Sequence, residues 1–140
     1  MLAHVITGGC LCGGVRYEVH APFVSSGYCH CTRCQRRTGT AAAASARVEP
    51  GALHVVQGEE LVSCWDPVDG GWLKCFCSRC GGALWSRQGD TVSVRLGTVD
   101  GDPGIRPEYR QFVAYAASWE AIPEDGLPRY GESRSASAEL

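Results

Sequence analysis

The 140-residue sequence predicts a mainly β fold in a single domain, and three observations carry that prediction. Short stretches alternate apolar and polar residues with a period of two, the signature of half-buried strands. Eighteen glycines and seven prolines are spread between them as turn punctuation. A single short stretch reads as helix. The length suffices to bury a core without covalent staples.

The elements follow in order. "GGVRYEVH" (residues 13–20) sets Val15, Tyr17 and Val19 against Arg16 and Glu18, a strand with one apolar face. "AAAASA" (residues 41–46) has a helical composition, but Val48, Pro50 and Gly51 bound it too tightly, so it is read as strand. "LHVVQG" (53–58), "WLKCFC" (72–77), "GALWSR" (82–87), "TVSVRLG" (91–97) and "QFVAYAA" (111–117) are strands by their β-branched and aromatic content. The helix is one short turn within "CTRCQRRTG" (31–39), closed by Gly39. Residues 1–130 form the domain, and the small, polar residues 131–140 are expected to be a flexible, frayed tail.

Composition narrows the functional classes. A hydrophobic content of 44% is ordinary for a globular protein. A net charge of −2 gives no reason to expect nucleic acid or an anionic membrane as partner. No apolar run approaches the ~20 residues of a spanning helix. Residues 1–9 lack a basic start followed by a long apolar core, so no signal peptide is expected and the location is read as cytoplasmic.

Nine cysteines are the outlying feature. Their odd number and the missing export signal argue against a secreted disulfide framework and for metal. Cys10-Leu-Cys12 is a C-x-C, Cys29-His-Cys31-Thr-Arg-Cys34 a C-x-C-x-x-C, and Cys77-Ser-Arg-Cys80 a C-x-x-C followed by Gly81-Gly82. A C-x-x-C before glycine is a zinc-ribbon-like knuckle, a tight turn that aims two thiolates at one point. Cys10 and Cys12 with Cys77 and Cys80 supply a tetrahedral shell. A thioredoxin-type redox pair would need a βαβ setting, which is missing.

Cys29, Cys31 and Cys34 form a second group. Three crowded thiolates repel one another unless a cation offsets their charge, so this group also asks for zinc. Catalytic zinc sites keep three protein ligands and leave the fourth position for water or substrate. His30 is expected as a surface residue rather than a fourth ligand. Cys64, alone in "LVSCWD", reads as a packed thiol. Cys75 belongs to "CFCSRC", which copies "CHCTRC", and is a spare ligand for either metal.

Arg33, Arg36 and Arg37 either offset the negative Cys₃–zinc charge and draw in an anionic thiol such as glutathione, or form a solvated face. No general base stands out and the catalytic residues stay unassigned. Glu59, Glu60 and Asp66 read as ordinary loop charges, while His4, His20 and His54 lack a motif. The four tryptophans pack the core or wall a pocket.

The motifs "GGCLCGGVRYEV" (8–19), "YCHCTRCQRRTGT" (28–40) and "FCSRCGGALW" (76–85) are similar, in order and interval, to those of the glutathione-dependent formaldehyde-activating enzyme family, also called the centromere protein V-like family. "VRLGTVDG" (94–101) and "SWEAIPEDGLPRY" (118–130) extend the resemblance over roughly residues 7 to 130. It implies a tent-like, mostly β zinc fold. It also implies a structural zinc on Cys10, Cys12, Cys77 and Cys80, and a second zinc on Cys29, Cys31 and Cys34 near the substrate. The implied reaction condenses formaldehyde with glutathione to S-(hydroxymethyl)glutathione and is classed as a carbon–sulfur lyase activity. Within "RPEYRQF" (106–112), Arg110 stands where the family pattern calls for histidine.

Three functions follow as expectations. The first is a zinc-dependent carbon–sulfur lyase acting on a small thiol adduct. The second is a non-catalytic zinc module used for binding or scaffolding. The third, thiol redox sensing, requires metal-free cysteines that oxidise reversibly.

Overall fold

A computed structural model describes residues 4–140. In chain order it contains β1 (Ile6–Gly9), β2 (Arg16–Val19), β3 (Ser25–Cys29), α1 (Thr32–Thr38), β4 (Ala43–Val48), β5 (Leu53–Gln57), β6 (Val62–Trp65), β7 (Leu73–Cys77), β8 (Ala83–Gln88), β9 (Thr91–Arg95) and β10 (Arg110–Gln111). Single 3₁₀ turns follow β5, β9 and β10. The fold is mainly β, as the sequence predicts. No described helix is long and apolar enough to cross a membrane.

The chain divides into two compact units. One comprises the described residues up to Ser25 together with Ala46–Ile105; the other comprises Ser26–Ser45 and Arg106–Leu140. In the first, β1, β2 and β5 form a small antiparallel sheet, with Ile6 opposite Val19 and Glu18 opposite His54. Strands β6 to β9 form an antiparallel meander in chain order. The alternation read in residues 13–20 decides which face is buried. Val15, Tyr17 and Val19 are fully buried, while Arg16 and Glu18 point outward.

Tyr17 from the small sheet meets Trp85 of β8 edge-on, with ring centroids 6.0 Å apart. Its hydroxyl shares a 2.7 Å hydrogen bond with Thr98 Oγ1, so a polar tip inside the core is satisfied. Leu84, Val92 and Val94 belong to the same core. Each such side chain stabilises the fold by about 1.5–3 kcal/mol relative to exposure. Gly8 lies so close that a Cβ there would overlap the Thr98 carbonyl and the Tyr17 ring.

In the second unit, β10 runs parallel to β3, with Arg110 beside Tyr28 and Gln111 beside Cys29. The Tyr28 N–H donates to Tyr109 O and the His30 N–H to Gln111 O. The strand expected over residues 111–117 stops after Gln111 because Phe112 adopts φ 56°, a left-handed conformation that breaks the pleat. Backbone hydrogen bonds also run between this unit and residues 131–140, the stretch expected to fray. Phe112 N–H donates to Glu132 O, Leu140 N–H to Arg129 O, and Tyr130 bridges to Glu139.

Candidate metal centres

The first cysteine group is built by two turns. Cys10 and Cys12 lie in the turn from β1 to β2, while Cys77 ends β7 and Cys80 lies in the turn from β7 to β8. Gly13 and Gly81 both have φ 76°, so each turn depends on a left-handed glycine. The four sulfurs all lie within 4.8 Å of one another. Cys10 Sγ is 3.6 Å from Cys12 Sγ, and Cys12 Sγ is 3.9 Å from Cys77 Sγ. A tetrahedron with zinc–sulfur bonds of ~2.3 Å has edges of about 3.8 Å, so these separations fit a zinc ion.

Backbone donors also converge on these sulfurs. Val15 N–H points to Cys10 Sγ at 3.2 Å, and Gly14 N–H to Cys12 Sγ at 3.4 Å. The Cys12 and Gly82 N–H groups, helped by Cys77, lower the Cys80 thiol to about 6. Although the Gly14 N–H favours its thiolate, burial and the neighbouring sulfurs raise Cys12 to about 11. Negative charge on one sulfur therefore disfavours it on the next, and a cation among the four relieves the conflict.

The second group is gathered by one strand end and one helix start. Cys29 ends β3, Cys31 is the N-cap of α1, and Cys34 lies buried in its first turn. Their sulfurs lie within 4.8 Å of one another. The Cys34 N–H donates to Cys31 Sγ at 3.3 Å, so a thiol occupies the capping place usually taken by a hydroxyl or carboxylate. Gly39, at φ 68°, closes the helix by donating to Gln35 O. Contacts from Cys29 and then Cys34 hold Cys31 far below the usual thiol range. The contact with Cys31, then Cys34 and burial, pushes Cys29 up. This split again marks a donor set that suits a cation.

His30 lies between two of these cysteines, yet it is not the surface residue expected. It is 3% exposed and stands outside the group of converging sulfurs. Arg110 Nη1 donates to His30 Nε2 at 3.3 Å. Burial first, then the Arg110 and Arg129 charges, lower the His30 pKa and keep the ring neutral, as an acceptor nitrogen must be. Arg110 is itself buried. Its Nε and Nη2 donate to Asp125 Oδ2 at 3.3 and 2.9 Å, and its guanidinium lies 4.1 Å above the Tyr28 ring. Gln35 then ties α1 down, its amide donating to His30 O at 2.8 Å and Tyr115 O at 2.9 Å. No spacing in the sequence signals the roles of Asp125 and Gln35. Arg110 is legible only as a departure from the family pattern.

Arg33 and Arg36 are exposed and Arg37 half-buried; Arg36 and Arg37 occupy the last turn of α1, where positive charge suits the helix dipole. Asp66 caps its own loop by accepting from Val68 N–H at 2.8 Å. Trp85 packs the core, Trp72 lies under Arg47, and Trp65 and Trp119 are exposed.

Cys64 and Cys75 depart from the expectation. Cys64 is an exposed residue of β6, directly opposite Cys75 of β7, and the two form a disulfide. Cys64 is therefore not a packed thiol, and Cys75 joins neither group of converging sulfurs. The reason is register. The β6–β7 hairpin sets the two side chains face to face, which neither cysteine's local motif encodes.

Residues 5–115 match the family model described as glutathione-dependent formaldehyde-activating enzyme. A Halomonas elongata protein named "Putative glutathione-dependent formaldehyde-activating enzyme" is 30% identical over 112 residues, covering 74% of this chain and 71% of its own. The crystal structure of a Rhodobacter sphaeroides protein superposes with a TM-score of 0.57 at 25% identity, covering 69% of this chain and 89% of that one.

Proposed function

Since the chain belongs to the glutathione-dependent formaldehyde-activating enzyme family, we propose that it makes or breaks the carbon–sulfur bond of a small thiol adduct, S-(hydroxymethyl)glutathione, in a zinc-dependent lyase reaction. The observation that carries this reading is the convergence of the Cys29, Cys31 and Cys34 sulfurs while the intervening His30 ring turns to Arg110. Cys10, Cys12, Cys77 and Cys80 would hold a closed structural zinc, and Cys29, Cys31 and Cys34 a second one. A zinc ion held by the three sulfurs would supply Lewis acidity, lowering the pKa of a substrate thiol that binds it or drawing electrons from an aldehyde oxygen.

The chain's own part is positional. The Cys34 N–H stabilises negative charge on Cys31, and Gln35 holds α1 against the backbone of His30 and Tyr115. Arg110 fixes the His30 ring and so the strand end between Cys29 and Cys31. A reducing compartment such as the cytoplasm suits seven cysteines acting as metal ligands.

The test combines metal analysis with glutathione calorimetry on the wild type and on Cys31→Ser. The wild type is expected to hold a second zinc equivalent and to release heat on titration with glutathione. Cys31→Ser should fold, lose that equivalent, and lose both the heat and the turnover. An unchanged glutathione heat in Cys31→Ser would overturn the site. If Cys31→Ser and Cys77→Ser lower the melting temperature equally and the wild type does not bind thiol, the chain is a non-catalytic zinc module.

A further inference from the structure

The function proposed above uses seven cysteines and leaves two. Cys64 and Cys75 are joined across β6 and β7, eleven residues apart in sequence. The two ends differ in access. Cys64 is exposed, whereas Cys75 is 1% exposed and packs in the core beside Leu84 and Trp85. Among the described residues β6 is the last strand of its sheet, paired only with β7, so its outer side carries no further strand. We propose that the Cys64–Cys75 disulfide is an exchange site for low-molecular-weight thiols such as glutathione, which attack at Cys64 and open and close the bond reversibly.

A thiolate RS⁻ attacks Cys64 Sγ, the sulfur it can reach. An R–S–S–Cys64 bond forms, the Cys64–Cys75 bond breaks, and Cys75 leaves with the electron pair and takes a proton. A second RS⁻ attacks the thiol-derived sulfur of the mixed disulfide. It releases RSSR, and the departing Cys64 thiolate takes a proton. In total two thiols are oxidised and one protein disulfide is reduced. The reverse sequence, driven by RSSR, closes the bond.

Two features of the site make the exchange reversible and directional. Burial of Cys75 leaves Cys64 as the end that a thiol in solution meets first. Register holds the two sulfurs opposite each other, so Cys75 attacks the mixed disulfide again whenever RSSR is abundant. Disulfides found in reducing compartments are mostly of this transient, redox-responsive kind rather than permanent staples.

The experiment uses the full-length, zinc-loaded protein in glutathione buffers of graded reduced-to-oxidised ratio. Samples are quenched in acid, alkylated in denaturant and mapped by mass spectrometry. The Cys64 and Cys75 peptides are expected to pass together from cross-linked to doubly alkylated across the series. In Cys75→Ser, oxidised glutathione should add one glutathionyl group at Cys64. In Cys64→Ser, Cys75 should stay unmodified over the same time. The wild-type series stands even if either variant fails to fold. A pair that stays cross-linked in the most reducing buffer is a static staple and overturns the proposal. A pair that alkylates fully in the most oxidising buffer overturns it too, as does an adduct on Cys75 instead of Cys64. Cys31→Ser should exchange as the wild type does, which separates this site from the proposed lyase centre.

Discussion

Arg110 concentrates the chemistry of the second unit in one side chain. It is 7% exposed, forks onto Asp125, donates to His30 and covers Tyr28. Removing it leaves a buried imidazole nitrogen and a carboxylate without their donor. Asp125 is partly exposed and recovers some hydration, so Arg110→Ala is expected to cost about 1–3 kcal/mol in denaturant unfolding. Arg110→Lys should not restore the loss, because an ammonium cannot form the fork. The pH dependence has a definite sign. The Arg110 hydrogen bond, with the Leu127 N–H, holds the Asp125 carboxyl below its usual range. A depressed folded pKa stabilises fully above the unfolded value of about 3.9 and is lost as pH falls through the folded one. Acid unfolding of Arg110→Ala should therefore be less steep below about pH 4 than that of the wild type.

At the scale of elements, the turns and strand crossings set where sulfurs point. Gly81 has φ 76°, and a Cβ added there would meet nothing within 4 Å, so Gly81→Ala meets backbone strain alone. The expected cost is about 1–2 kcal/mol, read as a lower melting temperature. Gly27 is the contrasting case. A Cβ there would overlap the Tyr109 ring, which sits where the chain enters β10. Gly27→Ala should cost more than Gly81→Ala and loosen the β3–β10 pairing that carries Cys29. Equal costs at the two glycines would contradict this account. The knuckle was legible in the sequence because C-x-x-C-G prescribes its own turn. The crossing of Tyr109 over Gly27 was not, since it joins residues far apart in the chain. The end of β10 at Phe112 was hidden for a related reason. Its aromatic side chain favours strand, while the hydrogen bond to Glu132 belongs to a segment that arrives later.

Across the whole molecule, each compact unit holds one cysteine group. Cys10, Cys12, Cys77 and Cys80 lie in one, and Cys29, Cys31 and Cys34 in the other. Loss of each group should therefore loosen different amides. Hydrogen exchange on Cys77→Ser should lose protection in β1, β2, β7 and β8, and on Cys31→Ser in β3 and α1. Loss of protection in the same amides for both variants would show that the groups do not act separately. Family membership and the mainly β architecture are properties of this scale too, and both were legible early. They rest on three ordered motifs and on a period of two repeated along the chain.

The sequence by itself determined what spacing and period control: the two cysteine groups, the knuckle glycines, the short capped helix and the buried face of β2. These are local, because a turn or a pleat aims side chains over only a few residues. Tertiary structure alone decided that Cys64 meets Cys75, that His30 turns inward to Arg110, and that Asp125 completes that arrangement. Such contacts depend on strand register and on which polar groups burial forces together, and neither is written in the residues nearest each partner.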